Sequence, residues 1–249
     1  MKTWLPRAAG RRSRIAVAAL LCAAAMVPLA PAPAGSATTS PLPERLRSIG
    51  DARQAIVVTA PNWSDPRAGV ELWEKSSKGW ARVMSTRGRL GWSGFEWASQ
   101  RRQSDGSTPV GTFSITRTFG LRADPGTDMP YRRAWRNDYW VYDKRCPASY
   151  NSWRKYSANR CWRTSWAEKL TDYRAEYEFA AIINFNIPTP TKPADTRRGG
   201  GIFLHVHGDG PTAGCVSVRR ADMLRIMRWL DPAKKPRIVM GPRSVLSRL

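Results

Sequence analysis

Two histidines and a cysteine stand close together near the end of this 249-residue chain, in the segment Gly201-Ile-Phe-Leu-His-Val-His-Gly-Asp-Gly-Pro-Thr-Ala-Gly-Cys215-Val-Ser-Val218. A thiol beside an imidazole is equipped for nucleophilic acyl transfer. The imidazole takes the thiol proton, the thiolate attacks a carbonyl, and the protonated imidazole returns a proton to the leaving amine. Cys215 is the candidate nucleophile. His205 and His207 are two residues apart, so a strand places both on one face and either is a candidate base. His205, inside the apolar run, is favoured. Backbone N–H groups near Cys215 are candidate oxyanion donors, and Gly214 lets a carbonyl approach them closely. His-x-His with a nearby Cys also offers three zinc ligands. No further Cys or His is available to close a structural zinc site once the other two cysteines are paired, so the expectation is no metal and no cofactor.

Cysteine parity singles out the same thiol. Basic residues Lys2, Arg7, Arg11, Arg12 and Arg14 precede the apolar run Ile15 to Ala30 and then small residues, the order of a secretory signal peptide over 1–37. Its removal takes Cys22 away and leaves three cysteines in an oxidising compartment, one of them without an intrachain partner. Cys146 and Cys161, fifteen residues apart, form the expected disulfide, whose closure is worth roughly 3 kcal/mol in the chain-entropy model. Cys215 is left over. The leader also carries five positive charges and no negative ones, so the formal charge of +22 falls to +17. An exported body so basic suits anionic cell-wall polymers, and no basic block with interleaved aromatics reads as a nucleic-acid motif. With 42% hydrophobic and 24% charged residues, neither disorder nor a membrane-embedded body is indicated, and no stable membrane span is expected once the leader is cleaved.

The elements that must position the thiol read as mainly β. After a short tether over 38–53, one catalytic domain is expected over 54–249. Strands are expected at 54–60, 70–75, 80–85, 111–118, 139–143, 179–185, 202–206 and 237–240. Short strands at this spacing imply a β-sandwich or barrel-like sheet. Met223, Ile226, Met227 and Leu230 recur at helical spacing and Asp231-Pro232 stops the run, which predicts one C-terminal helix packed by that stripe. The aromatic-rich stretch 122–170 reads as an insertion, either core or a wall over the site.

Thr212-Ala213-Gly214-Cys215 behind a histidine-bearing strand resembles the active-site motif of the L,D-transpeptidases, the YkuD-like catalytic domain. The stretch Ser104-Asp105-Gly106-Ser107-Thr108-Pro109-Val110-Gly111-Thr112-Phe113 resembles a second signature of that family. Ser149-Tyr150-Asn151 and Asn184-Phe185-Asn186 are similar to stretches of actinobacterial members. Two motifs in the right order are far more specific than one. The resemblance implies a secreted, wall-associated enzyme acting on peptidoglycan stem peptides. Such an enzyme forms a Cys215 acyl-enzyme at the residue-three carbonyl, releases the terminal D-alanine, and passes the acyl group to an amine of a neighbouring stem as a 3,3-type crosslink. It also implies substrate contacts at Thr212 and Tyr150. Hydrolysis of the same acyl-enzyme and a non-catalytic wall-binding domain are the alternative readings. The chain departs from the common pattern at Ala213, where a His is usual, at Ser217, where an Arg is usual, and in the short spacing from His205 to Cys215.

Overall fold

The computed structural model describes residues 42–249, so the leader lies outside the described residues. Thirteen strands and one α-helix follow in chain order: β1 (Gln54–Ala60), β2 (Arg67–Ser76), β3 (Gly79–Arg89), β4 (Phe95–Trp97), β5 (Thr108–Gly120), β6 (Tyr131–Arg133), β7 (Asp138–Val141), β8 (Ser152–Lys155), β9 (Ala167–Lys169), β10 (Ala180–Ile183), β11 (Phe203–Val206), β12 (Val216–Val218), α1 (Arg220–Trp229) and β13 (Arg237–Pro242). The main sheet runs β10-β11-β12-β3-β2-β1-β13-β5, and pairing of β10 with β5 closes it into a ring. β4 and β6 attach to β5, and β8-β7-β9 form a separate small sheet. The protein is thus mainly β and barrel-like, as the strand spacing implied.

Period-two alternation sorts the ring residues onto two faces. Ile56, Val58 and Ala60 of β1 and Ile238 and Met240 of β13 join the main core with Leu72, Leu204, Val206 and Val216. Ala55, Val57 and Val239 face the other way into a second cluster with Trp80, Leu46, Ile49 and Ala52. Those last three belong to the stretch expected to be a tether. From Leu42 onward this stretch packs on the body, because its apolar residues cover the otherwise bare outer face of β1. Ser48 N–H donates to the carbonyl of Leu249 at 2.7 Å, joining this segment to the end of the chain.

Helix α1 follows the expected stripe: Met223, Ile226, Met227 and Leu230 are fully buried in the main core. Leu230 caps it in an extended conformation, and Asp231 accepts from Ala233 N–H at 2.8 Å to start a 3-10 turn. The aromatic insertion divides between two roles. Trp140 belongs to a third cluster with Phe119, Tyr177, Phe203 and Cys215 on the outer face of β10 and β11. The small sheet therefore covers this part of the ring. The Cys146–Cys161 disulfide, with a Cα–Cα distance of 5.8 Å, holds Trp162 against Val141. Among the described residues no helix is long and apolar enough to cross a membrane.

Candidate active site

β11 and β12 are parallel neighbours, paired Leu204 to Val216 and His205 to Ser217. Leu204 and Val206 point into the ring, whereas Phe203 and Cys215 lie in the outer cluster. His205 shares the Phe203 face, so alternation brings the imidazole to the side where the thiol sits. Both line a cavity of about 340 Å³ on the outside of the ring.

The loop before Cys215 is held by one hydroxyl. Thr212 Oγ1 donates to Cys215 O at 2.6 Å and accepts from Gly214 N–H at 3.1 Å. The main chain of Thr212 is fixed to the turn after β3, accepting from Trp92 N–H at 2.9 Å and donating to Leu90 O at 2.8 Å. Gly214 has φ +136, and a Cβ there would lie 2.7 Å from Ser107 O and 2.8 Å from Arg101 Nη2. Only glycine fits that approach without strain. Ser107 is itself set by Asp105, which accepts from its N–H at 2.9 Å and its hydroxyl at 2.7 Å, while Arg101 Nε donates to Ser107 O at 2.8 Å. The two sequence motifs, a hundred residues apart, thus meet at Gly214.

The Cys215 sulphur sits between two main-chain groups. It accepts from Phe203 N–H at 3.3 Å and donates to Gly201 O at 3.2 Å. Burial pushes the thiol up to about 12, with the negative charge of Glu168 acting in the same direction. His205 Nδ1 lies 2.6 Å from Val206 O, which assigns the proton to Nδ1 and leaves Nε2 as the acceptor. Burial holds this imidazole down to about 4, and Tyr177 packs edge-on at 5.6 Å. Thiol and imidazole therefore rest uncharged.

His207 is placed differently. It stays on the face of His205 and donates its main-chain N–H to Val218 O at 2.8 Å, but it lines a separate concavity with Arg89 and Arg219. Its Nδ1 is 3.0 Å from Ser217 Oγ. The structure brings His205, not His207, to the cavity of Cys215, and the His-x-His-Cys zinc arrangement is not assembled. Among the described residues His, Cys, Asp and Glu form no group of three placed to hold a metal ion. Thr212 lines the cavity. Tyr150 does not: it is fully buried, and its hydroxyl donates to Gln103 Oε1 at 2.7 Å, so it props the wall from behind. An interior site for so large a side chain is what removes it from contact.

Several residues of the cavity have no signal in the motifs. Tyr142, Tyr173, Tyr177 and Glu168 come from the aromatic insertion and the turns after it, and Arg101 from the loop after β4. Tyr177 hydroxyl donates to Glu168 Oε2 at 3.0 Å. Burial raises the Glu168 carboxyl to about 7. Asn151 is buried with all four of its hydrogen-bonding positions filled: Oδ1 accepts from Trp140 Nε1 at 2.9 Å and Gly201 N–H at 2.8 Å, and Nδ2 donates to Phe185 O at 3.0 Å and Asn186 O at 2.7 Å. It ties the two Asn-containing stretches to the glycine whose carbonyl holds the thiol.

The L,D-transpeptidase catalytic domain (YkuD) family model matches residues 65–239. No curated protein matches the sequence significantly. Among solved structures, "Structure of Bdellovibrio bacteriovorus Bd1075" is similar at a TM-score of 0.39 and 13% identity, over 79% of this chain and 50% of that one, so this chain spans about half of that protein's length. The family match runs from just before β2 into β13 and takes in the cavity, both motifs and the thiol. On that match, the chain belongs to the L,D-transpeptidase catalytic-domain family.

Proposed function

We propose that Cys215 is the nucleophile of a secreted transpeptidase that forms 3,3-type crosslinks between peptidoglycan stem peptides. Family membership supports a catalytic function on peptidoglycan in general. The observation that carries the finer reading is an unpaired thiol pinned in a cavity with a histidine whose acceptor nitrogen is left free by the Nδ1 contact. In this mechanism the donor peptide displaces the Cys215–Gly201 contact, and His205 Nε2 takes the thiol proton. The sulphur then bonds to the carbonyl carbon of residue three. Cleavage of the following peptide bond releases D-alanine, whose amine leaves with the proton from His205. An acceptor amine then attacks the thioester, loses its proton to His205, and frees the thiolate to be reprotonated. Water in place of the amine gives hydrolysis through the same acyl-enzyme. Gly214 N–H is already engaged with Thr212, so the oxyanion is assigned to the Cys215 N–H and its neighbours, with Gly214 providing the close approach.

The body's basic surplus supports a second, weaker association with anionic wall polymers. Arg67, Arg87, Arg89, Arg219 and Arg243 gather around the His207 concavity. Release of the protein from isolated walls by moderate salt is the expected result. The catalytic reading is tested by incubating the purified chain with disaccharide tetrapeptides and measuring intact mass and products. A Cys215 acyl adduct and crosslinked dimer are expected, and neither in Cys215→Ala. Tripeptide without dimer moves the assignment to hydrolysis. Full turnover by Cys215→Ala would overturn it, and wall binding with no adduct under any donor would favour a non-catalytic domain.

A further inference from the structure

The wall of the cavity near the thiol holds a carboxylate that the acyl-transfer chemistry does not use. Glu168 sits on the three-residue strand β9, with Tyr177 hydroxyl on its Oε2 at 3.0 Å and Tyr173 beside it. A Cβ placed on Gly201 would be 3.9 Å from that same oxygen, and Gly201 O is the partner of the thiol. The carboxylate is therefore a close neighbour of the reacting sulphur. In a body with a surplus of seventeen positive charges, most acidic groups have a basic partner: Asp143 pairs with Arg163, Glu178 with Arg220, Glu74 with Lys234. Among the described residues Glu168 has no ion-pair partner. The arginine of the cavity, Arg101, is 2% exposed and committed to main-chain carbonyls, with Nε on Ser107 O and Nη1 on Arg198 O, both at 2.8 Å. Glu168 is thus walled by tyrosine rings and hydroxyls with its counter-ion position open to the cavity.

We propose that Glu168 is a specificity-determining residue: it seats a primary ammonium group of the substrate on its carboxylate, in the cavity it lines with Tyr173, Tyr177 and Cys215. This rests on the cavity being the acyl-transfer site. A carboxylate gives an ammonium a charge-assisted hydrogen bond, and the Tyr177 hydroxyl on Oε2 orients the carboxylate that makes it. The occupant also removes an electrostatic penalty, since the unneutralised carboxylate disfavours the thiolate. A substrate that carries the cation assists the formation of its own nucleophile.

The ammonium has two sources, the side chain of the acyl donor or the incoming acceptor, and two measurements separate them. The first is calorimetric binding to Cys215→Ala of two donor peptides that differ only in a side-chain amine, free in one and acetylated in the other. If the donor brings the cation, the free amine binds about tenfold tighter, and the ratio falls to about one when Glu168→Gln is added. The second is the partition of the acyl-enzyme between a primary amine and water. If the acceptor brings the cation, the seated ammonium gives one proton to the Glu168 carboxylate and attacks as the free amine, and Glu168→Gln lowers that partition about tenfold with the donor ratio near one. A structural role for Glu168 would instead weaken both donors equally. Should Glu168→Gln fail to fold, Tyr177→Phe, which removes the hydroxyl orienting Oε2, reads the same two ratios and is expected to lower one of them several-fold. No preference for the free amine together with an unchanged partition in the folded variant overturns the proposal. Loss of acylation at Cys215 with the binding ratio intact would count against the acyl-transfer reading and leave the ammonium seat standing.

Discussion

Replacing Asn151 by alanine removes four hydrogen bonds at a residue that is fully buried, so water does not reach the groups left behind. Gly201 N–H and Trp140 Nε1–H lose their acceptor, and the carbonyls of Phe185 and Asn186 lose a donor. At about 1 kcal/mol net for each bond, the loss is about 4 kcal/mol. Asn151 also sits at φ +51, a region that asparagine tolerates better than alanine, which adds to the cost. In a domain of this size each kcal/mol moves the melting temperature by roughly 2–4 °C, so the fall is on the order of 10 °C. Differential scanning calorimetry measures it. The alkylation rate of Cys215 supplies a second reading, because a freed Gly201 no longer holds its carbonyl against Sγ. That rate should rise in Asn151→Ala and stay nearer the native one in Asn151→Asp, which keeps the acceptor for Gly201. A melting temperature within about 2 °C of the native one, with unchanged alkylation, would mean that Asn151 does not position the thiol's main-chain partner.

Three further outcomes are expected. Since burial raises the thiol to about 12, the thiolate fraction in the free protein grows with pH throughout the accessible range, and iodoacetamide labelling should still be climbing at pH 9–10; a plateau below pH 8 would contradict the desolvated thiol. Gly214→Ala forces a Cβ to within 2.7 Å of Ser107 O at φ +136, so a loss of about 2–4 kcal/mol is expected in urea unfolding, with the acyl adduct abolished. Asp143 is buried and bonded to Arg163 Nε at 2.9 Å and Nη2 at 3.1 Å, which holds its carboxyl well below the usual carboxylate range. Its contribution is full above the unfolded value near 4 and fades as pH falls through the folded one, so Asp143→Asn should lower stability at pH 7 by a few kcal/mol and narrow the gap to the native protein at pH 2–3.

The reactive residue was more legible in the sequence than its surroundings. Cysteine parity and one short motif identify Cys215 because those signals are local and chemical. Strands β1, β2, β3, β5 and β13 show in the apolar alternation, since each packs one or both faces against a core. β12 is only three residues long and β9 is fixed by pairing with β7, so neither carries a period to detect. Closure of the ring depends on β10 meeting β5 across about sixty residues, a pairing that no local pattern encodes. Alternation puts His205 and His207 on one face, but the two concavities on that face are shaped by distant loops, which alternation does not encode. Glu168 gave no signal for a related reason: a carboxylate among aromatics looks like any surface acid until the tyrosines that desolvate it are brought round by the turn at 173–177.

The bond from Ser48 to Leu249 puts the two ends of the folded body at one seam, with Leu46 and Leu246 in the same cluster beneath it. A short linker joining those ends, with a new opening at the exposed hairpin of Ser77 and Lys78, should yield a circular permutant that keeps every strand pairing of the ring. A cargo domain fused to either end would be carried on the same pole of the molecule.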